Sequence, residues 1–330
     1  MIFANLLEEG MKNVLKLLAL VLAVFAVQAL AQGYPNKPVR VIISFTPASA
    51  TDIVGRIVAA KLSEYWGQPV VAENRSGAGG SLGSNVVAQA APDGYTLLIN
   101  SNAHAVNPAI YLKLPYETTK DFTDIAPLSE LPNVLVVNGG SRFKTLADLV
   151  GYGKANPGKI NFGHAGVGSG THLNTVKLIT AGGIDVTQVP FKGTPEVVAA
   201  ILSGAVDCYW VPISAGVSNI RAGKLHALAV STGKRSPLLP DLATTAEAGV
   251  KGADFGLWFG LWGPAGMAPE LASRINADVR KALADPGVLE KLRNTGNAPM
   301  DMSPQEFGKF VRSEIEDYQR VVRAAGIKPQ

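Results

Sequence analysis

Short β-branched runs alternate with stretches of helical apolar spacing along most of the chain. Val39-Arg40-Val41-Ile42-Ile43 predicts a strand, and Ser44 to Thr51 a loop. A helix follows, with Val54, Val58, Leu62 and Ile53, Ile57 at helical spacing. Val70-Val71-Ala72 predicts a second strand, ahead of the glycine-rich Ser76 to Gly83. A helix through Val86-Val87 ends near the turn signal Pro92-Asp93-Gly94. Tyr95 to Ile99 and Val134 to Val137 read as further strands. Thr145-Leu146-Ala147-Asp148 resembles a capping box, opening a helix that stops before Asn156-Pro157-Gly158. Ile160 to Gly163 predicts a strand, Gly166 to Thr171 a second small-residue loop, and then a helix to about Ile179. After a strand at Val186 to Val189, Thr194-Pro195-Glu196 offers an N-cap with proline at the first helical position. Val206 to Trp210 and His226 to Val230 are the last predicted strands.

Two late helices close the pattern. One starts near Pro269, with Leu271, Ile275, Val279 and Leu283 on one face. The other opens at the capping box Ser303-Pro304-Gln305-Glu306 and carries Phe307, Val311, Ile315 and Val322. Repeated strand–helix units predict an α/β protein with mostly parallel sheets flanked by helices. No internal repeat or low-complexity tract interrupts them.

Composition narrows the class. Of 330 residues, 47% are hydrophobic and 17% charged, which excludes a disordered chain. One cysteine, Cys208, excludes a disulfide scaffold; it lies in an apolar run and is expected to be buried. The length suggests two domains. Basic residues such as Lys37, Arg40, Arg56, Lys61 and Arg75 are scattered rather than striped, and the net charge is only +4, so no nucleic-acid partner is implied.

The amino terminus reads as an export signal. From Met11, Lys12 and Lys16 precede an apolar run of 11 residues, Leu17 to Val27, and Ala29-Leu30-Ala31 supplies a cleavage site. Glu8 and Glu9 do not suit a basic leader, so Met11 is the expected start and residues 1–10 an extension. Cleavage after Ala31 leaves a chain starting at Gln32, without a cysteine to carry a lipid anchor. The mature protein is expected to be soluble and periplasmic, because no later apolar stretch is long enough to span a bilayer.

Enzyme motifs mostly fail. Gly79-Gly80-Ser81-Leu82-Gly83 has nucleophile-elbow spacing, but Glu73 to Ala78 separate the motif from the preceding predicted strand. No complete dinucleotide fingerprint or P-loop is present. His104, His164, His172 and His226 lack zinc spacing, and no cysteine cluster exists, so neither metal nor cofactor is expected. Asp52, Asp93, Asp207 and Glu196 include no pair that spacing selects.

Two strand–loop–helix junctions remain: Phe45-Thr46-Pro47-Ala48-Ser49-Ala50-Thr51-Asp52 and Gly166-Val167-Gly168-Ser169-Gly170-Thr171-His172. Each places amides and small hydroxyls at a helix N-terminus, where an anion is favoured and a carboxylate can be held without arginine. Ordinary helix capping explains the same residues equally well.

Several ordered blocks carry a family resemblance. They include Tyr34-Pro35-Asn36-Lys37-Pro38, Asn74-Arg75-Ser76-Gly77-Ala78-Gly79-Gly80 and Pro92-Asp93-Gly94-Tyr95-Thr96-Leu97-Leu98. Asn107-Pro108, Lys113 to Tyr116, Gly166-Val167-Gly168-Ser169, Val189 to Pro195, Gly223 to Val230 and Trp258-Phe259-Gly260 continue the series. From about Tyr34 onward the chain resembles the Bug family (TctC-like) of periplasmic solute-binding proteins of the tripartite tricarboxylate transporter type.

That resemblance implies a two-domain periplasmic-binding-protein (Venus flytrap) fold. Domain 1 would be 33–133 plus 252–330, and domain 2 134–251. It implies a small organic acid (a di-, tri- or aromatic carboxylate) closed between the domains and handed to membrane transporter subunits, by a protein expected to be monomeric. Carried over by position, the site would comprise Phe45, Thr46, Ala48, Ser49, Asp52, Ser101, Asn102, Gly168, Ser169, Thr171, His172 and Asp207. The first loop departs from the family's usual Pro-Gly-Gly, since Ala48 and Ser49 follow Pro47.

Structural alternatives stay open at this point: Phe45 as core, His172 as a cap of its own helix, Asp207 as internally paired. Two alternative functions stay open too. One is a periplasmic serine-dependent hydrolase using Ser81 or Ser169 with a histidine; the other is a carboxylate sensor feeding a signalling system.

Overall fold

The computed structural model describes residues 33–324; the expected leader and the start at Met11 lie outside the described residues. Two mixed sheets share one strand. β1 (Val39–Ile43) lies between β2 (Val70–Asn74) and β3 (Thr96–Ser101), parallel to both. β9 (Gly256–Pro264) runs antiparallel to β3 and to the first part of β4 (Phe122–Asn138), whose far edge takes the two-residue β10 (Ala298–Pro299). From Asn133 onward β4 changes partners. It then lies between β7 (Cys208–Pro212) and β8 (Leu225–Val230), both antiparallel. β7 continues through β5 (Asn161–His164) to β6 (Thr187–Pro190), in parallel.

The α/β class and helix-flanked sheets are as expected, but the sheets are mixed rather than mostly parallel. β4 carries the chain out of the first sheet, while β8 and β9 bring it back, so the returning strands run antiparallel to β4. The return is pinned to β4. Ser231 donates its amide to the Asn133 carbonyl (2.9 Å), and Ser231 Oγ donates to the Phe255 carbonyl (2.6 Å).

Strand alternation explains why the runs are apolar throughout. Val39, Val41 and Ile43 pack with Val54, Val58 and Leu62 of α1 (Ala50–Trp66) on one face. Ile42 and Leu98 point the other way, toward Trp258, Trp262 and Phe307. In the second sheet Val134 and Val136 face the first cluster, and Leu135 and Val137 pack with Phe162, Cys208 and Trp210. Cys208 is fully buried, and burial pushes its thiol up.

Remaining helices in chain order are α2 (Ser81–Ala88), α3 (Ala103–Ile110), α4 (Leu146–Ala155), α5 (Gly170–Gly182), α6 (Thr194–Ser203), α7 (Ile213–Arg221), α8 (Pro269–Ala284), α9 (Pro286–Asn294) and α10 (Pro304–Ala324). The capping box at Thr145 and Asp148 forms as read. Ser303 Oγ accepts the Glu306 amide (3.3 Å), while Glu306 accepts the Ser303 amide (2.8 Å). Thr194 is not a cap; Gly193 takes that place, and the Thr194 hydroxyl pairs with Tyr209 Oη at 2.9 Å.

His104 sits on α3, fully buried against Trp262 (4.4 Å) and Phe122 (4.6 Å), with neither ring nitrogen hydrogen-bonded. Burial pushes its pKa down from 6.5 to about 3. The unfolded chain binds that proton below pH 6.5 and the folded chain refuses it, so stability falls as pH drops from 6.5 toward 3. His104→Phe should leave stability at pH 7 nearly unchanged, and should remove about 2–3 kcal/mol of the loss seen at pH 4.5. Urea unfolding at the two pH values measures this; equal acid losses in both proteins would refute it.

Candidate functional site

The carboxyl ends of β1, β3, β5 and β7 meet at a cleft between the two sheets. Its walls are Phe45, Ser49, Ala50 and Thr51 after β1, Ser101 at the end of β3, and Ala165, Ser169, Gly170 and Thr171 after β5. Thr194, Pro212 and Leu257 complete it, around about 290 Å³ that includes the part open to solvent and leaves about 20 Å³ for a water-sized body. Ligands in open α/β sheets sit at such strand ends.

Two helices aim their N-termini at this space. Ser49 caps α1, its Oγ accepting the Asp52 amide at 3.3 Å. Ser169 caps α5 in the same way, accepting the His172 amide at 3.2 Å. A cap of this kind satisfies the third amide only, so the amides of Ala50, Thr51, Gly170 and Thr171 have no intrahelical acceptor. The Thr171 hydroxyl accepts the Ala165 amide (3.0 Å) and lies 3.1 Å from Ser169 Oγ. Among the described residues no lysine, arginine or histidine lines the cleft. Whatever anion it holds is held by amides, hydroxyls and helix fields.

The twelve residues read from sequence separate into three groups. Phe45, Ser49, Ser101, Ser169 and Thr171 line the cleft. Thr46, Asn102 and Gly168 stand just beside it, where the two halves touch. Ala48, Asp52, His172 and Asp207 do not line it.

Asp52 faces its own loop, accepting from the Ala48 amide (2.9 Å), Arg56 Nε (2.9 Å) and Asn74 Nδ2 (2.8 Å). Asn74 Nδ2 also donates to the Phe45 carbonyl (2.9 Å), so this network holds the loop in shape. His172 turns inward and accepts the Gly168 amide on Nδ1 at 3.3 Å. Burial first, and His164 beside it second, push its pKa down to about 3. Asp207 precedes β7, at the opposite end of that strand from the cleft residue Pro212, and accepts the Asn161 amide at 2.8 Å. A five-residue strand puts those ends roughly 15 Å apart.

The twelve residues omit Ala50, Thr51 and Gly170, which lie within the two loops, and also Ala165, Thr194, Pro212 and Leu257. Ala165 and Pro212 follow predicted strands, the signal that could have found them, whereas Thr194 reads from the sequence as a cap. Leu257 had no local signal, because it arrives on the returning β9.

The halves meet glycine against side chain. A Cβ on Gly193 would overlap Thr46 Oγ1; one on Gly170 would overlap Asn102 Oδ1; one on Gly79 would overlap the Val167 carbonyl. Tyr111 Oη donates to that same carbonyl at 2.7 Å.

This architecture defines a two-lobed binding-protein fold with a narrow cleft at its strand ends. A sequence profile of the family described as "Tripartite tricarboxylate transporter family receptor" matches residues 54–327, and the chain belongs to that family. Protein BugT of Bordetella pertussis is 33% identical over 300 residues, 90% of this chain and 92% of that protein. Among solved structures, Rpa4515 of R. palustris with adipate is 33% identical with TM-score 0.87, covering 90% of this chain and all of that one. MatC of Rhodopseudomonas palustris with bound malate is also 33% identical, with TM-score 0.83 over 88% of this chain and all of that one.

Ala48 occupies the left-handed region, with φ of 62°. That conformation costs a non-glycine residue about 1–2 kcal/mol, partly offset by the greater freedom glycine loses on folding. Ala48→Gly should therefore stabilise the protein by roughly 0.5–1 kcal/mol. Denaturant unfolding tests this; a destabilised glycine variant would show the loop to be unstrained.

Proposed function

We propose that the protein is an exported periplasmic receptor that closes its two lobes on a small organic carboxylate and delivers it to the membrane subunits of a tripartite tricarboxylate-type transporter. One observation carries the reading: two capped helix N-termini face one cleft, with free-facing amides and hydroxyls and no cation on its walls. That arrangement suits a carboxylate, whose oxygens accept from each side at once. The adipate and malate bound by the two R. palustris proteins are carboxylates of the proposed class.

The lobes would be 33–133 plus 252–330 and 134–251. The change of β4 partners at Asn133 supports that division. Among the described residues no helix is long and apolar enough to cross a membrane, and the leader read at residues 11–31 supports export.

Binding is favoured over hydrolysis by the serines' partners. Ser169 Oγ meets Thr171 Oγ1 and the His172 amide, while the His172 ring turns to Gly168. Among the described residues neither Ser81 nor Ser169 is hydrogen-bonded to a histidine ring, the contact a serine nucleophile would need.

Ligand at a hundredfold over its Kd should stabilise the protein by about 2.7 kcal/mol, a rise of a few degrees in Tm. A thermal-shift screen against organic acids near pH 7 should find such a ligand without consuming it; turnover of the acid would overturn the receptor reading. Ser169→Phe should abolish the shift, and because the buried serine caps α5 it should also lower the ligand-free stability by about 1–3 kcal/mol. Full retention of the shift would remove Ser169 from the site.

Gly170→Ala tests the closure. Gly170 lies at the start of α5 without a positive φ, so alanine suits its backbone, and what suffers is its contact with Asn102 and Leu257 of the other lobe. Calorimetry should show about tenfold weaker binding, equivalent to about 1.4 kcal/mol. Unchanged affinity would mean that the bound state does not need this contact.

A further inference from the structure

We infer that the space beside the cleft is a distal chamber of the same site, selecting a monocarboxylate with an apolar, ring-sized tail over compact di- and tricarboxylates. This rests on reading the cleft as a carboxylate site. The chamber, about 900 Å³ including the part open to solvent, begins where β5 ends, and Ala165 borders both spaces.

Backbone forms two of its walls. Gly77, Ala78 and Gly79 from the first lobe face Ala165, Gly166 and Val167 from the second. Gly77, Gly79 and Gly166 have φ of 131°, 59° and 105°, so the chain there both bends and carries few side chains. Gly79 and the Val167 carbonyl touch, and the slot opens beside that contact. Tyr111, Phe191, Val167 and Pro190 supply its apolar surface. The Tyr111 hydroxyl is committed to the Val167 carbonyl, which leaves the ring as its contribution to the slot.

The charges of the chamber do not favour a second carboxylate. Lys192 and Glu196 both line it, and Glu196 Oε2 accepts the Lys192 amide at 2.8 Å. Their opposite charges largely cancel for a ligand passing between them. A distal carboxylate would lose water against Val167, Pro190 and Phe191, and the one lysine lining the chamber, Lys192, is opposed by the charge of Glu196. A ring would exchange water for apolar and aromatic contact. The two spaces together thus offer one end for an anion and one for a hydrocarbon.

Calorimetry of the purified protein with phenylacetate, malate and adipate tests the assignment. Phenylacetate should bind at least about tenfold more tightly than either diacid. Phe191→Ala should weaken phenylacetate by about tenfold while changing the diacids by no more than about twofold. Phe191→Leu, which keeps an apolar group on the core side, should give an intermediate loss and stands in if the alanine variant does not fold. Lys192→Ala should leave phenylacetate within about twofold.

Tighter binding of malate or adipate, or equal losses for all three acids in the Phe191 variants, overturns the chamber and leaves the carboxylate cleft standing. If no organic acid binds, or if binding survives Ser169→Phe unchanged, the cleft assignment falls and the chamber with it.

Discussion

Everything at the cleft depends on β4 being continuous. Its 17 residues reach about 56 Å, far beyond the usual strand, and they pair with one sheet up to Pro132 and with the other from Asn133. Because a strand cannot change direction along its length, both sheets inherit a fixed relative polarity from it. The carboxyl ends of β1 and β3 on one side, and of β5 and β7 on the other, therefore open toward the same space. Their following helices begin there, which is why two helix N-termini confront each other.

Recognition in such a cleft comes from placement rather than from charge. The net charge is only +4, and among the described residues none of the basic side chains lines the cleft. Ser49 and Ser169 each take one amide of their own helix and leave the first two amides of that helix to whatever enters. The walls can come close because the contacts between lobes are made by glycine against Thr46, Asn102 and Val167. A methyl group at Gly170 or Gly193 would separate surfaces that now touch.

The first loop shows how a local departure is absorbed. Ser49 is well suited to its place, since it caps α1. Ala48 bears the cost, held at positive φ by the bond from its amide to Asp52. Asp52 in turn is bound by Arg56 and Asn74, so a buried carboxylate that resembles a ligand contact is spent on shaping the loop.

Local signals along the chain determined a good deal. The β-branched runs at Val39–Ile43 and Val70–Ala72, the capping boxes at Thr145 and Ser303, and both small-residue loops all lie where the pattern put them. These features depend on neighbours within a few residues, through pleat, helical spacing and capping. The first half of β4 was not legible, because Asp124, Pro127, Ser129, Glu130 and Pro132 break its apolar run. Nor was β9, or the position of Leu257. Asp207 and Asp52 illustrate the same limit: sequence identifies a carboxylate but not which end of a strand it occupies or which amides it meets. Those outcomes were decided only in the tertiary structure, where strand pairing over a hundred residues apart sets polarity, and polarity sets which loops share a cleft.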